Sequence, residues 1–372
     1  MLFQNIIGQN ELKTQLIRSI RAGRVSHCQL FLGSEGTGAL PLALAYAQYL
    51  NCLNPNPTDS CGVCGSCIKY QKLIHPDLHF SFPVVAKKSG EKPLSSHFLK
   101  EFRHSLLVNP YLTYHDFMMA IEAENKQGNI SVAECHHILE RLNLAIFEAK
   151  YKVMLIWLPE YLKEAGNVLL KILEEPPANT LFLLVTHHSE QLLSTVVSRC
   201  QLTRVPLLTH DDIAHHLIHK KGVAAADAQT IGVLSCGNYR EALRQIELSS
   251  LENETVFAHW MRVLFSRDGQ KIVHFTEKMA ALGREQQKNY LVYSLHIIRQ
   301  CMLKHLDQER LIQSNGTELA FIDRFYPYLP LQNLETISNH LNESIFQVER
   351  NGNSKLVFHC LSMRVESLLK RQ

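Results

Sequence analysis

Three short apolar runs in the first half of the chain are separated by longer stretches with helical periodicity. The runs cover residues 28–32, 153–158 and 180–186. Unbroken apolar runs of this length predict strands that are buried on both faces, as in a parallel sheet covered by helices. From about residue 208 onward, apolar positions recur mainly at helical spacing. The pattern therefore predicts an α/β domain followed by helical regions.

A glycine-rich turn follows the first predicted strand and precedes a predicted helix. Its residues are Gly33, Ser34, Glu35, Gly36, Thr37, Gly38, Ala39 and Leu40. A strand, such a turn and a helix form the context of a phosphate-binding loop, in which backbone N–H groups face an anion. A working loop continues with Lys, which neutralises phosphates, and with Ser or Thr, which holds Mg²⁺. Ala39 and Leu40 stand in those places, so ATP binding is not expected. A chance glycine-rich turn is the alternative.

The predicted strand at residues 153–158 also lacks the acids of an ATPase. An ATPase ends this strand with an acidic pair that holds Mg²⁺ and polarises water. Here the positions around Trp157 are apolar, and the first acid, Glu160, follows Pro159. We interpret Glu160 as a helix-start or surface charge. Two catalytic elements are therefore missing.

Four of the ten cysteines form a cluster with the spacing C-x8-C-x2-C-x2-C. They are Cys52, Cys61, Cys64 and Cys67. Turn-forming residues between them allow four thiolates to converge on one ion, and four sulfur ligands describe a closed, structural zinc site. Free or disulfide-bonded cysteines are the alternative. His75 and His79 follow and would compete as ligands, but four thiolates already complete the shell. The other six cysteines are scattered, and we interpret most of them as buried apolar residues.

Composition limits the function classes. The chain has 372 residues, of which 46% are hydrophobic and 20% charged, which indicates two or three folded domains. The net charge of +3 does not by itself indicate nucleic-acid binding. No apolar run approaches the roughly 20 residues that cross a bilayer, and the first residues lack a signal-peptide pattern. We therefore expect a cytoplasmic protein.

Several motifs resemble the AAA+ clamp-loader subunits of bacterial DNA polymerase III. The most specific is residues 167–177, NVLLKILEEPP, an amphipathic helix that ends at two prolines. Residues 192–201 contain the family's Ser-Arg-Cys motif as Ser198, Arg199 and Cys200. The cysteine spacing and the residues IIGQ at 6–9 are also similar. The resemblance is specific over about residues 1–250.

The resemblance implies an architecture. We expect an AAA+ P-loop domain over residues 1–207, with a zinc-bearing module at 52–67 and an insertion at about 80–128 to which we assign no function. A small helical lid over 208–249 and an all-α collar over 250–372 would follow. Within these, Ser131 and Thr209 are predicted to cap helices. The polar loop predicted around residues 87–93 belongs to the insertion.

The resemblance also implies site residues. Arg199 would act in trans as an arginine finger in the ATP site of a neighbouring subunit, and a local salt bridge is the alternative. Arg240 corresponds to the lid arginine that senses nucleotide in active subunits, and here we favour a structural role for it. The lost loop residues favour a subunit type that does not hydrolyse ATP.

The function implied is that of a non-hydrolysing stator in a hetero-pentamer with gamma/tau and delta subunits, which loads the sliding clamp onto primed DNA. Zinc would be its only cofactor, and ATP would not be bound. One alternative is an ATP-hydrolysing gamma/tau-type subunit. Another is a zinc-dependent DNA-binding module, for which Lys69 and Lys72 are the only cations near the cysteines.

Overall fold

The computed structural model describes residues 1–86, 92–123, 126–247, 250–308, 311–312 and 316–369. Most of the polar loop predicted around residues 87–93 lies outside the described residues. The chain divides into two compact units. The first contains Met1–Asp212 and Gly237–Arg240, and the second contains Ile213–Cys236 and Glu241–Gln372.

The first unit contains a five-stranded sheet in which every neighbouring pair is parallel. The strands are β1 (Cys28–Leu32), β2 (Leu78–Ser81), β3 (Lys152–Trp157), β4 (Thr180–Thr186) and β5 (Gln201–Arg204). Their spatial order is β2-β3-β4-β1-β5. The three central strands are those that the apolar runs predict. The two edge strands are absent from the sequence prediction, because each has only four residues and β5 is mostly exposed.

Helices cover both faces of this sheet. They are α1 (Asn10–Arg21), α2 (Ala39–Leu50), α3 (Gly65–Gln71), α4 (Leu99–Val108), α5 (Tyr114–Ala120), α6 (Val132–Asn143), α7 (Leu170–Glu174) and α8 (Ser194–Val197). Successive residues of β3 and β4 enter two separate apolar cores, as the period-two geometry of a strand requires. The core that contains Trp157 includes α2, α4 and α5, and the core that contains Ile156 includes α6.

The insertion is part of the main core. Phe102 of α4 stacks on Phe82, with ring centroids 3.9 Å apart, and lies 5.5 Å from the ring of Trp157 in β3. Phe117 of α5 packs edge-on against Phe82 and Phe102. The aromatic residues of the insertion therefore pack in the core, and they fix α4 and α5 against the sheet.

The predicted caps are present. Ser131 accepts a hydrogen bond from the Glu134 N–H at 3.2 Å and caps α6. Thr209 accepts one from the Asp212 N–H at 3.0 Å at the start of α9 (His210–Lys221). The motif at residues 167–177 is less regular than predicted. Its first three residues are the end of a 3-10 helical segment, Pro159–Leu169. Only α7 is α-helical before the prolines.

The second unit is helical in its described residues. Its further helices are α10 (Ala225–Leu234), α11 (Tyr239–Glu247, which begins in the first unit), α12 (Ser250–Ser266), α13 (Gly269–Ala280), α14 (Arg284–His305), α15 (Gly316–Phe325), α16 (Leu331–Glu349) and α17 (Ser354–Leu368). They surround an apolar core that includes Trp260 and Phe358. Among the helices that the structure describes, none combines the length and apolar composition needed to span a bilayer.

The predicted fold class is confirmed: an α/β AAA+-like domain with a parallel sheet is followed by a helical C-terminal region. The division of that region into a lid and a collar stays a prediction.

Candidate functional site

The glycine-rich turn lies where β1 ends and α2 begins, as in a phosphate-binding loop. Gly36 and Gly38 adopt positive φ angles of 74° and 91°, which residues other than glycine rarely adopt. The turn is closed by hydrogen bonds from Thr37 to the Ser34 carbonyl, from its N–H at 3.2 Å and its hydroxyl at 2.7 Å. The backbone conformation of the turn therefore favours glycine at both positions.

Side chains of the same unit cover this turn. Gly33, Gly36, Thr37 and Gly38 are all buried. A β-carbon at Gly38 would lie 3.1 Å from the ring of Tyr111, and one at Gly36 would overlap the side chain of Asn238. Protein atoms therefore lie where a side chain at Gly36 or Gly38 would point, so both positions require glycine.

Ala39 and Leu40, which replace the Lys and Ser/Thr of a working loop, are 3% and 5% exposed. Both belong to the main apolar core of the first unit. They supply neither a cation for phosphate nor an oxygen ligand for Mg²⁺.

Glu160 is not the surface charge that the sequence suggested. It lies in the first turn of the 3-10 helix, as expected for a helix-start acid, but it is buried. It accepts a hydrogen bond from the Thr186 hydroxyl at 2.8 Å and lies 3.4 Å from the His187 N–H. The carboxylate therefore joins the ends of β3 and β4, which the apolar pattern of residues 153–158 does not indicate.

Arg240 pairs with Asp116, which no sequence signal indicated as a site residue. Arg240 Nε and Nη2 donate to the two Asp116 oxygens at 2.8 and 3.0 Å. Asp116 is also the third residue of a capping box with Thr113 at the start of α5. Burial opposes ionisation of Asp116, but hydrogen bonds from Arg240 and Thr113 hold its pKa below its usual value. A charged pair therefore joins the insertion to the segment Gly237–Arg240.

Arg199 lies just before β5 and is partly exposed. Its Nε and Nη2 donate to the same Glu174 oxygen at 3.1 and 3.0 Å, and its Nη1 donates to the Thr195 carbonyl at 2.9 Å. The local salt bridge that the sequence left as an alternative is therefore present in the single chain. The pair is exposed enough to exchange for another partner at low cost.

The four clustered cysteines converge as predicted. Their Sγ atoms all lie within 4.8 Å of one another, close enough to hold one metal ion. The Cys52–Cys61 and Cys61–Cys67 Sγ distances are 3.5 and 3.9 Å. Four sulfurs at about 2.3 Å from a tetrahedral zinc ion would lie about 3.8 Å apart, so the donor set fits this ion. His75 and His79 are not part of the group.

Backbone amides support the thiolates of this cluster. The N–H groups of Cys61, Cys64 and Cys67 each point to the Sγ of the preceding cysteine of the cluster, at 3.3, 3.4 and 3.5 Å. Amide hydrogen bonds, from Val63 and then Cys64, lower the pKa of the Cys61 thiol to about 6. Such N–H donors favour the charged form that a metal requires.

The sequence suggested that the remaining six cysteines are isolated, but two of them lie side by side. The Sγ atoms of Cys28 in β1 and Cys200 before β5 lie 2.9 Å apart. Cys135 and Cys301 are buried as predicted, whereas Cys236 and Cys360 are exposed.

One of the two cations of the DNA-binding alternative has a partner within the chain. Lys69 forms a salt bridge with Glu148, with Nζ–Oε1 and Nζ–Oε2 distances of 2.6 Å. Both side chains are partly exposed, so this pair too can exchange for another partner at low cost.

Comparisons with known proteins find similarity to subunits of DNA polymerase III. Residues 8–209 match the family described as "DNA polymerase III, delta subunit". DNA polymerase III subunit tau of Salmonella typhimurium is 23% identical over 346 residues, which cover 87% of this chain and 46% of the relative. Subunit delta' of Bacillus subtilis is 29% identical over 198 residues, which cover 52% of this chain and 47% of the relative.

Subunit gamma of a Buchnera aphidicola strain is 24% identical over 347 residues, which cover 86% of this chain and 84% of the relative. The chain thus spans less than half the length of the tau and delta' relatives. Among solved structures, a gamma subunit-related protein of Thermotoga maritima aligns with a TM-score of 0.42 at 16% identity, covering 95% of this chain and 99% of the other.

Proposed function

Because the chain belongs to the DNA polymerase III delta subunit family, we propose that it is the delta-prime subunit of a clamp loader. It is a non-hydrolysing stator that helps gamma/tau and delta subunits load the sliding clamp onto primed DNA. One observation carries this proposal: the glycine turn has two glycines at positive φ but is buried under Tyr111 and Asn238. A subunit that bound ATP would need that surface open.

The chemistry of the site supports the same function. Ala39 and Leu40 offer no group to phosphate or Mg²⁺, and the nearest acid to the end of β3, Glu160, is engaged by Thr186. A phosphoryl-transfer site works by placing cations and a polarised water around the phosphate. Without these groups the domain serves as a scaffold.

Arg199 is the residue by which such a scaffold contributes to catalysis. Its guanidinium is partly exposed and is held by one exposed carboxylate, Glu174, and by the Thr195 carbonyl. In an assembly it turns from Glu174 to the phosphates in a neighbouring subunit, where it offsets the charge of the transition state. Ser198 and Cys200 flank it in the motif that the family resemblance identifies.

Cys52, Cys61, Cys64 and Cys67 hold zinc in a structural role. The four thiolates leave no open coordination position, so the ion closes the excursion between α2 and α3 and does not act on a substrate. A cytoplasmic location, in which these thiols stay reduced, remains our prediction.

The experiment is ATP turnover by a loader reconstituted with gamma, delta and this chain, stimulated by clamp and primed DNA. Arg199→Ala is expected to slow turnover by about tenfold or more while the complex still assembles, because arginine fingers contribute factors of this size or larger. Arg204→Ala, which removes an exposed arginine of β5, is the control and should have no effect. Unchanged turnover with Arg199→Ala would exclude the finger role.

A gamma/tau-type ATPase is the second candidate. It is favoured by the tau and gamma relatives, whose matches cover 87% and 86% of the chain, against 52% for delta'. Turnover by the isolated chain separates the two proposals: a gamma/tau-type subunit hydrolyses ATP alone, and a delta-prime subunit does not.

A further inference from the structure

We propose that residues 109–123 act as a resident internal ligand of the degenerate nucleotide site. The Tyr111 ring covers the glycine turn in place of a nucleotide, and the Asp116 carboxylate binds Arg240 in place of a phosphate. This inference rests on the proposed function, in which the site binds no ATP, and it adds what fills the site.

Tyr111 is fixed above the turn from several directions. Its hydroxyl accepts a hydrogen bond from the Ile7 N–H at 2.9 Å, and its ring meets that of Tyr239 edge-on with centroids 4.8 Å apart. Its own N–H donates to Asn109 Oδ1 at 3.0 Å. These contacts fix the position of the Tyr111 ring against Gly38.

Asp116 presents its carboxylate as a phosphate would. Two parallel hydrogen bonds from one guanidinium, at 2.8 and 3.0 Å, are the geometry that arginine uses for both carboxylates and phosphates. Arg240 is the residue that the family resemblance assigns to nucleotide sensing. In this chain its anion is supplied by the protein.

Helix α5 holds Asp116 in place. The neighbouring Phe117 is fully buried against Phe82 and Phe102, and Tyr114 stacks on Tyr161 with centroids 4.8 Å apart. The N-terminal capping box with Thr113 orients the Asp116 side chain itself. The carboxylate is thus carried by an element that is anchored in the main core.

The segment Gly237–Arg240 closes over the turn from the other side. The Tyr239 N–H donates to the Gly36 carbonyl at 3.1 Å, and Asn238 lies against Gly36. The Asn238 oxygen also accepts from the Arg240 N–H at 2.9 Å. The turn, the segment 109–123 and Gly237–Arg240 therefore form one connected set of contacts made by the protein's own residues.

The absence of nucleotide binding could come from the lost loop residues alone or also from the residues that cover the turn, and variants separate these two causes. Restoring a lysine and a threonine in the turn should not restore binding, because the space remains filled. We compare four proteins by titration with a fluorescent ATP analogue and Mg²⁺: the natural chain, A39K/L40T, Y111A/D116N, and the variant with all four changes. We expect at least about tenfold tighter binding by the fourfold variant than by A39K/L40T. Equal affinity of these two variants would overturn the inference.

A second measurement does not require restored binding. Amide hydrogen exchange at residues 36–40 and 237–240 should be about tenfold faster or more in D116N and in Y111A than in the natural chain. Y111F keeps the ring and should protect residues 36–40 better than Y111A, and D211N is the control for the charge change. Exchange of these amides in both D116N and Y111A at the same rate as in the natural chain would contradict the inference.

The two proposals fail in different ways. Nucleotide binding by the natural chain would reject the proposed function. Assembly of the variants with gamma and delta subunits, followed by size-exclusion chromatography, tests loader membership alone. If D116N and Y111A assemble normally with the gamma and delta subunits and their amide exchange is unchanged, only the internal-ligand inference is rejected.

Discussion

Asp116 and Arg240, 124 positions apart in sequence, form a two-point ion pair with N–O distances of 2.8 and 3.0 Å. Both side chains are largely buried, at 17% and 18% exposure. A pair that is this shielded from water costs more to break than one on the surface, because the remaining charge loses its partner.

The first prediction concerns the strength of this pair. Asp116→Asn should lower the free energy of unfolding by about 1–3 kcal/mol, because the change leaves the Arg240 guanidinium without its counter-charge. Urea unfolding followed by circular dichroism measures the difference. Asp211→Asn, on an exposed side chain, should change it by less than about 0.5 kcal/mol. A loss for Asp116→Asn no larger than that of the control would show that the pair adds nothing to stability.

The second prediction concerns the cysteine cluster. The purified chain should contain one zinc ion, and Cys61→Ser should abolish it, because three thiolates no longer complete the shell. Elemental analysis and a thiol-reporter assay measure the metal, and the melting temperature should fall in the variant. Cys360→Ser, at an exposed position, should keep the full zinc content. Zinc retained in full by Cys61→Ser would place the ion elsewhere.

The third prediction concerns pH and Asp77. Burial opposes ionisation of Asp77, but N–H groups of Phe147, Glu148 and Ala149 donate to its carboxylate at 2.7, 2.9 and 2.9 Å and hold its pKa below its usual value. A carboxyl whose pKa is lowered by folding stabilises the protein above the unfolded-state pKa of about 3.9, and this contribution disappears as the pH falls through the lowered value.

Asp77→Asn should therefore cost about 1–3 kcal/mol at pH 7 and progressively less below pH 4. Unfolding free energies measured in urea at several pH values test this dependence. A difference between the two proteins that stays constant down to the acid transition would show that the Asp77 charge does not contribute.

The fourth prediction concerns the insertion as part of the core. Phe102→Ala should lower the free energy of unfolding by about 3–5 kcal/mol, because it removes a fully buried ring that contacts Phe82, Phe117 and Trp157. Leu107→Ala, at a half-exposed position of the same helix, is the matched control and should cost about 1 kcal/mol or less. Similar losses for both would show that the Phe102 ring contributes no more to stability than an exposed side chain does.

The central strands could be predicted from sequence because they are apolar on both faces. Strands β1 and β4 have the predicted bounds, and β3 is displaced by one residue. The edge strands could not be predicted, because one side of each is unpaired in the sheet and β5 carries polar residues. The glycine turn and the cysteine spacing were also readable, since both are local patterns.

The contacts around the glycine turn are not local, and the sequence did not indicate them. Asp116 reads as an ordinary helix-start acid, and only the folded chain brings it to Arg240. Lys152 is a further example: it begins β3 as a buried lysine, and its ammonium group donates to the carbonyls of Leu142 and Leu144 near the end of α6. Such pairings depend on tertiary distance, which periodicity and spacing do not encode.

The central claim is that this chain keeps a nucleotide-binding fold whose site is closed to nucleotide. Isothermal titration of the isolated chain with ATP and Mg²⁺ tests it most directly. The account predicts no measurable binding up to millimolar ATP, because the glycine turn is covered and Ala39 and Leu40 replace its phosphate and metal ligands. Saturable binding at micromolar ATP would contradict it.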